Sequence, residues 1–233
     1  MNPKASFVIP AYNVQAWIAE TIQSCLDQSF RKIEVVVVND GSTDHTKEII
    51  EQMAKKDARV VLVDLEGNVG RSEARNIGNQ KASGEIIMVL DGDDKATRQR
   101  AKDTLACFEL NKPDLVYGGF ISMDSLGNMR HRFSPNPFNR EQSIKNMTHG
   151  ICHSTLAYRK GVTLNVQYAV DDFSKLGIDD WKFIWDCHLK GYKFAYVKSP
   201  LCYYRMVEGT VTHTRNPEDV MKTKEKYLAE ILK

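Results

Sequence analysis

Residues 33–38 read IEVVVV, five β-branched residues out of six. A strand with one wet face alternates apolar and polar residues; this one stops alternating, so both its faces must be covered, as in a parallel sheet flanked by helices. Its neighbours agree. SFVIP (6–10) precedes it as a short strand, and VQAWIAETIQSCLDQ follows that strand with Ile18, Ile22, Cys25 and Leu26 on one helical face. TDHTKEIIEQMAKK (43–56) reads as a second helix, with Thr43 or Asp44 as N-cap. VVLVDL (60–65) is a third strand, a glycine-punctuated helix spans 71–82, and EIIMVL (85–90) is a fourth strand. Strands alternating with helices specify an α/β fold: a Rossmann-like, doubly wound, mostly parallel sheet.

Beyond residue 94 the rhythm changes to a smaller mixed part. A helix is expected over 95–110, with Ala101, Leu105 and Phe108 inward, then a strand LVYGGFISM (115–123), a turn at Leu126-Gly127-Asn128 and a second strand. Residues 133–148 are loop-rich. LAYRKG, the helix DWKFIWDCHLKG and two strands, FAYV and LCYYRM, come next, and 216–232 reads as a helix with Val220, Tyr227 and Ile231 on one face. No repeat or linker interrupts the chain, which is expected to form one unit over 1–233.

Composition narrows the function classes. With 32 basic and 30 acidic residues the net charge is +2, which gives no electrostatic reason for a nucleic-acid partner. No apolar run reaches the roughly 18 residues of a membrane-spanning helix, and MNPKASFVIP is too short in apolar residues for a secretory signal. Five scattered cysteines without a CxxC pair suit reduced core positions, so a cytoplasmic location is expected.

Ligands of an open parallel sheet bind beyond the carboxyl ends of its strands. Those ends read Pro10-Ala11-Tyr12-Asn13, Asn39-Asp40-Gly41-Ser42-Thr43-Asp44, Glu66-Gly67-Asn68-Val69-Gly70 and Asp91-Gly92-Asp93-Asp94. Asp-Gly pairs make turns and aspartates cap helices, which is an equal reading for Asp44. Three carboxylates within four residues repel each other unless a cation joins them. Asp91 and Asp93 therefore point to Mg²⁺ or Mn²⁺ shared with phosphate oxygens.

VIPAYN, VVNDGSTD, NVGRSEARNIG and MVLDGDD, in this order, together with GIDDWKFIWDCHLKGYKFAYVKSPLCYYR, resemble family 2 glycosyltransferases of the GT-A fold. The resemblance covers most of 6–213 and leaves 112–150 without a motif. It implies a nucleotide-binding half (1–94), an acceptor and catalytic half (95–215) and a C-terminal helix (216–233). Pro10, Ala11 and Tyr12 would line the nucleobase pocket. Asp40 would accept a base N–H, that of uracil for a UDP-sugar. Asn68 and Arg75 would contact base, ribose or diphosphate, and a fixed guanidinium suits phosphate. Asp93 would ligate Mn²⁺ or Mg²⁺, with Asp91 on metal or ribose. Asp180 would be the general base, next to Asp179 where the family more often has Glu. His213 is either a late metal ligand or a surface histidine.

The implied reaction is one-step, inverting transfer of a sugar from its nucleoside diphosphate to a hydroxyl of a glycan or lipid-linked acceptor, with Arg75 and Arg205 as cations near the leaving group. Without a Q-x-x-R-W motif, transfer is expected to be non-processive. The tail lysines Lys222, Lys224 and Lys226 are either solvated or a peripheral contact with the inner membrane face. Segment 112–165, including His149 to His153, is expected to set the acceptor. Three rivals stand: a haloacid-dehalogenase-like phosphatase, whose D-x-D-x-T normally opens its fold; a dinucleotide enzyme, for which G-x-G-x-x-G is missing; and a non-catalytic nucleotide-sugar-binding domain.

Overall fold

The computed structural model describes residues 3–207 and 216–232. Nine strands form a single mixed sheet: β1 (Ala5–Ala11), β2 (Ile33–Asn39), β3 (Val60–Asp64), β4 (Ile86–Val89), β5 (Lys95–Ala96), β6 (Leu115–Met123), β7 (Met129–Phe133), β8 (Ala157–Arg159) and β9 (Phe194–Arg205). They run in the order β3-β2-β1-β4-β8-β6-β9-β5, with β7 paired to β6 outside that path. The β3-β2-β1-β4 part is wholly parallel, while β8 pairs antiparallel with β4 and β6 and joins the two halves.

The α-helices of the described residues are α1 (Ile18–Leu26), α2 (Thr46–Lys56), α3 (Arg71–Lys81), α4 (Arg100–Asn111), α5 (Arg140–Lys145), α6 (Asp172–Lys175), α7 (Asp179–Leu189) and α8 (Pro217–Ile231). The period of two decides what each face buries. Phe7 and Ile9 of β1, Val35 and Val37 of β2 and Met88 of β4 pack with Ile18, Ile22, Ile50 and Leu105. Val8, Val36, Ile87 and Val89 point the other way, into a layer with Tyr158, Phe183 and Ile184. That is why IEVVVV does not alternate: both its faces lie in core. α3 lies so close to the sheet that a Cβ on Gly78 would stand 2.5 Å from Val8 Cγ1 and 3.1 Å from Val38 Cγ2.

Several local expectations need correction. The segment 95–110 is not one helix: Lys95 and Ala96 pair with Tyr203 and Cys202 as β5, and the helix starts at Arg100. FAYV and LCYYRM are one strand, β9, whose register against β6 slips between Gly118 and Phe120 to absorb extra residues near Pro200. Neither Thr43 nor Asp44 occupies the N-cap of α2, which falls at His45. Asp44 acts from one residue further out, accepting Thr46 N–H at 3.0 Å and Gln15 N–H at 3.2 Å, and so ties the first loop to the second. The inward face of α8 does bury Val220 and Tyr227, with Leu228 added, against Trp181 and Trp185 of α7. All five cysteines are unpaired, and four are buried.

Candidate active site

The chain winds β1-β2-β3 in one direction and then returns to place β4 on the other side of β1. A crevice opens where the direction reverses, beyond the carboxyl ends of β1 and β4, and this is where an open α/β sheet binds ligands. A cleft of about 840 Å³ occupies it. Pro10, Ala11, Tyr12, Asp40, Asn68, Arg75, Asp91 and Asp93 all line it, so the strand ends that look unrelated in sequence share one cavity. A second cleft of about 400 Å³ adjoins it through Arg71, Arg75, Asp91 and Tyr204, and is lined beyond them by Phe120, Thr148, residues 150–153, Asp179 and Asp180.

Backbone geometry builds the first cleft. Asp40 is 2% exposed; its two oxygens accept the N–H groups of Val69 at 2.7 Å and Gly70 at 3.0 Å. Burial pushes its pKa up against those two bonds. Gly41 has φ +67, and a Cβ there would lie 2.5 Å from Gly67 C, so only glycine lets the two loops close over Asp40. Gly92, between the two aspartates, leaves room in the same way: a Cβ would meet Pro10 O at 3.0 Å and Val14 Cγ2 at 3.2 Å.

The cation that the acid cluster demands is partly internal. Arg75, 4% exposed on α3, donates from Nη2 to Asp91 Oδ1 at 2.6 Å and from Nη1 to Asp179 Oδ2 at 2.7 Å. Arg71, one turn earlier, reaches Asp179 Oδ1 at 2.7 Å. Burial alone would raise the pKa of Asp91, but Arg75, with His153 and Arg71, holds it well below the carboxylate range. Among the described residues Asp93 forms no salt bridge. Burial and then the charge of Asp91 push its pKa to about 6. Asp94, 1% exposed, gives Oδ1 to Arg205 N–H at 2.7 Å, leaves Oδ2 unpartnered, and is pushed well up by burial and the two neighbouring aspartates. After the arginines are counted, carboxylate charge at this turn remains uncompensated. Among the described residues no three or more ligating side chains gather into a protein-only metal cage. A hard cation here would draw on one or two carboxylates and on oxygens of its ligand, the habit of Mg²⁺ and Mn²⁺.

Asp179 and Asp180 open α7 and differ sharply. Asp179 is fully buried, with both oxygens engaged by arginines. Asp180 is partly exposed at the second cleft, accepts Trp181 N–H at 2.7 Å, and forms no salt bridge among the described residues. Burial opposes its ionisation, but His149, His153 and Arg71 outweigh it and its pKa lies below the usual value. His153 itself is 9% exposed and bonded through Nε2 to Tyr168 Oη at 2.9 Å; burial, then Arg75, lowers its pKa to about 4, so it is neutral at physiological pH. His213 lies outside the described residues.

Some lining residues escape a reading of motifs. Arg71 is one: it sits four before Arg75 on one helix face, a spacing that makes the two neighbours and that is legible inside NVGRSEARNIG. Val170, Asp171, Ser174 and Lys175 carry no local signal. They reach the cleft because Asn76 clamps Tyr168 by two bonds of 2.9 Å and Ser72 Oγ meets Ser174 Oγ at 2.8 Å.

Fold and crevice thus define a doubly wound type of α/β protein with a polar, acid-rich cleft at its switch point. The family model described as glycosyl transferase family 2 matches residues 6–165, and the chain belongs to that family. Among its relatives is an uncharacterised glycosyltransferase of Haemophilus influenzae, 37% identical over 54% of this chain and 50% of its own length. The putative teichuronic acid biosynthesis glycosyltransferase TuaG of Bacillus subtilis is 32% identical over 62% of this chain and 58% of its own. The chain thus spans about half the length of these curated relatives. Staphylococcus aureus TarS 1–349, solved in complex with UDP-GlcNAc, superposes with TM-score 0.72 over 98% of this chain and 71% of that one, at 24% identity. The mannosyltransferase PcManGT of Pyrobaculum calidifontis, in complex with GDP-Man and Mn²⁺, gives TM-score 0.68 over 91% and 59%, at 18% identity. These superpositions establish the GT-A fold. No helix among the described residues is long and apolar enough to cross a membrane.

Proposed function

We propose that the chain is an inverting glycosyltransferase that moves a sugar from a UDP-sugar, held in the larger cleft, to an acceptor hydroxyl presented in the smaller one. The observation that carries this reading is the division of labour at the start of α7: Asp179 is saturated by two arginines, while Asp180 faces the smaller cleft without a cationic partner. A carboxylate that accepts a proton must be ionised and free, and of this pair Asp180 meets both conditions. The acceptor oxygen bonds to the anomeric carbon, the bond from that carbon to the diphosphate breaks, and the acceptor proton passes to Asp180. Attack from the face opposite the leaving group inverts the anomeric centre.

On the donor side, Tyr12 and Pro10 flank the base, Asp40 keeps lone pairs for a base N–H, and Arg75 lies where diphosphate charge develops. Asp93 and Asp91 are the residues that would hold Mn²⁺ or Mg²⁺, and the uncompensated charge of Asp93 supports this. When bound, such an ion acts as a Lewis acid toward the leaving diphosphate. A glycan or lipid-linked acceptor is supported by TuaG, a teichuronic acid biosynthesis protein by name. The aromatic walls Phe120 and Tyr204 suit a sugar ring.

Calorimetry tests the donor half. UDP should bind tightly with Mn²⁺ and weakly with chelator, and Asp93→Ala should erase the difference. Equal UDP affinity in both buffers would refute the metal-dependent reading, and tighter GDP than UDP binding would move the donor to the class bound by PcManGT.

A further inference from the structure

Arg205 is the last residue of β9 and reaches the floor of the larger cleft, so its charge invites the role of a diphosphate ligand. Its bonds say otherwise. The side chain is 2% exposed, and every nitrogen is engaged. Nε donates to the carbonyl of Asp93 at 2.7 Å. Nη2 donates to Glu20 Oε2 on α1 at 2.7 Å. Nη1 donates to the carbonyls of Ser125 at 3.0 Å and Asp124 at 3.4 Å, at the tip of the β6–β7 hairpin. Its backbone N–H holds Asp94 Oδ1 at 2.7 Å. The guanidinium also lies 5.9 Å from the ring centre of Trp17, whose Nε1–H reaches Ser125 O at 3.3 Å.

The hairpin tip it grips is built to be gripped. Asp124 Oδ1 accepts the N–H groups of Leu126 and Asn128 at 3.0 and 2.9 Å, while Oδ2 accepts Asn128 Nδ2 at 3.0 Å and Arg130 Nη2 at 2.7 Å. The turn is therefore ordered by itself; the Asp124 carbonyl accepts Gly127 N–H at 3.0 Å within it as well as the longer bond from Arg205, while the Ser125 carbonyl accepts Arg205 and Trp17. Three pieces remote in sequence, α1, the turn after β4 and the hairpin, meet on one planar fork. A lysine has the charge and three donors, but all three leave one nitrogen, so it cannot span acceptors that the guanidinium meets from Nε, Nη1 and Nη2.

We propose that Arg205 is a positioning residue: it locks the Asp91–Asp94 turn to α1 and to the 124–128 hairpin tip, fixing the Asp93 carboxylate in the donor cleft without itself ligating the diphosphate. The inference rests on the donor reading above for its consequence, but the lock itself is a property of the free protein.

Two measurements test it, on Arg205→Lys and on Glu20→Gln, which neutralises the half-exposed carboxylate that Arg205 shares with Lys95 and keeps the test alive if the first variant does not fold; Lys95→Met, which removes only the other partner, is the control. In hydrogen exchange of the free protein, amides of 91–94 and of 124–128 should both exchange faster in the variants; unchanged exchange in both segments overturns the lock. In UDP titrations, Arg205→Lys should lose about tenfold of the Mn²⁺-dependent affinity, the usual effect of removing an outer support of a metal ligand, with affinity in chelator within about twofold of the parent. An equal loss with and without Mn²⁺ would make Arg205 a direct diphosphate ligand and overturn the proposal. If the parent shows no Mn²⁺ dependence, the donor reading fails by itself, and hydrogen exchange alone decides the lock.

Discussion

At the residue scale, adjacent aspartates of the same type carry opposite duties because of what surrounds them. Asp180→Asn keeps volume and polarity but removes the carboxylate we propose as the proton acceptor. Turnover should fall by roughly 10²–10⁴, the worth of a general base, with UDP affinity little changed. Asp179→Asn should show the reverse pattern. It leaves Arg71 and Arg75 without their shared anchor at a fully buried position, so UDP affinity and thermal stability drop together while the chemistry keeps its base. Titration and single-turnover rates on both variants separate the cases; an affinity loss confined to Asp180→Asn would interchange the roles. Two other groups make opposite contributions to stability as pH changes. Asp93 has its folded pKa raised to about 6, so the native state binds the extra proton, and stability falls as pH climbs from about 4 to about 6. His153 has its folded pKa lowered to about 4, so the unfolded state binds the extra proton, and stability is lost as pH falls from about 6.5 toward 4. Without divalent cation, Asp93→Asn should therefore stabilise by about 1–2 kcal/mol at pH 7.5, with the gain gone by pH 4. His153→Gln should flatten the acid side of the same curve. Melting temperatures across pH 4–8 check both signs.

At the element scale, what could be read from sequence was what repeats. IEVVVV and the Ile18, Ile22, Cys25, Leu26 face are periodic, and their burial follows directly. β5 was not legible, because two residues have no period; Lys95 and Ala96 become a strand only because Tyr203 and Cys202 arrive beside them. FAYV and LCYYRM read as two strands, and a slipped register near Pro200 joins them as one. Nor could any spacing reveal Arg100, fully buried at the start of α4, whose Nη2 donates to the carbonyls of Val89 and Leu156 and so ties β4 to the segment before β8. α8 carries an energetic consequence for the site. Tyr227 donates to Asp186 Oδ1 at 2.5 Å, and Val220 and Leu228 pack on Trp181 and Trp185, so α8 braces the helix that begins with Asp179-Asp180. Leu228→Ala, at a 3% exposed position, should cost about 2–4 kcal/mol through lost burial and a residual cavity. It should also lower turnover more than UDP affinity, because Asp179 is held from its other side by Arg71 and Arg75 whereas Asp180 has only α7 to place it. Urea titration and steady-state kinetics measure the two effects; unchanged turnover would show that α8 supports the fold without supporting the base.

At the scale of the whole molecule, the sequence divides at residue 94 but the hydrogen bonds do not. β8 pairs with β4 of the first half and with β6 of the second, so backbone bonds cross the division. Asn76, Arg71 and Arg75 of the first half are bonded to Tyr168 and Asp179 of the second. The site is made of both halves, and neither can loosen without opening the clefts. We therefore expect 1–233 to unfold as one cooperative unit. The three tryptophans report on this separately: Trp17 precedes α1, whereas Trp181 and Trp185 lie on α7. A Trp181→Phe, Trp185→Phe double variant leaves fluorescence to the first half, and Trp17→Phe leaves it to the second. Urea midpoints from either variant, each referred to its own far-ultraviolet circular dichroism, should coincide, as two-state unfolding demands. A first-half midpoint clearly above the second would show instead that the parallel β3-β2-β1-β4 unit with α1 to α3 holds by itself, and that the bonds through β8 and Asp179 are too weak to couple the donor side to the acceptor side.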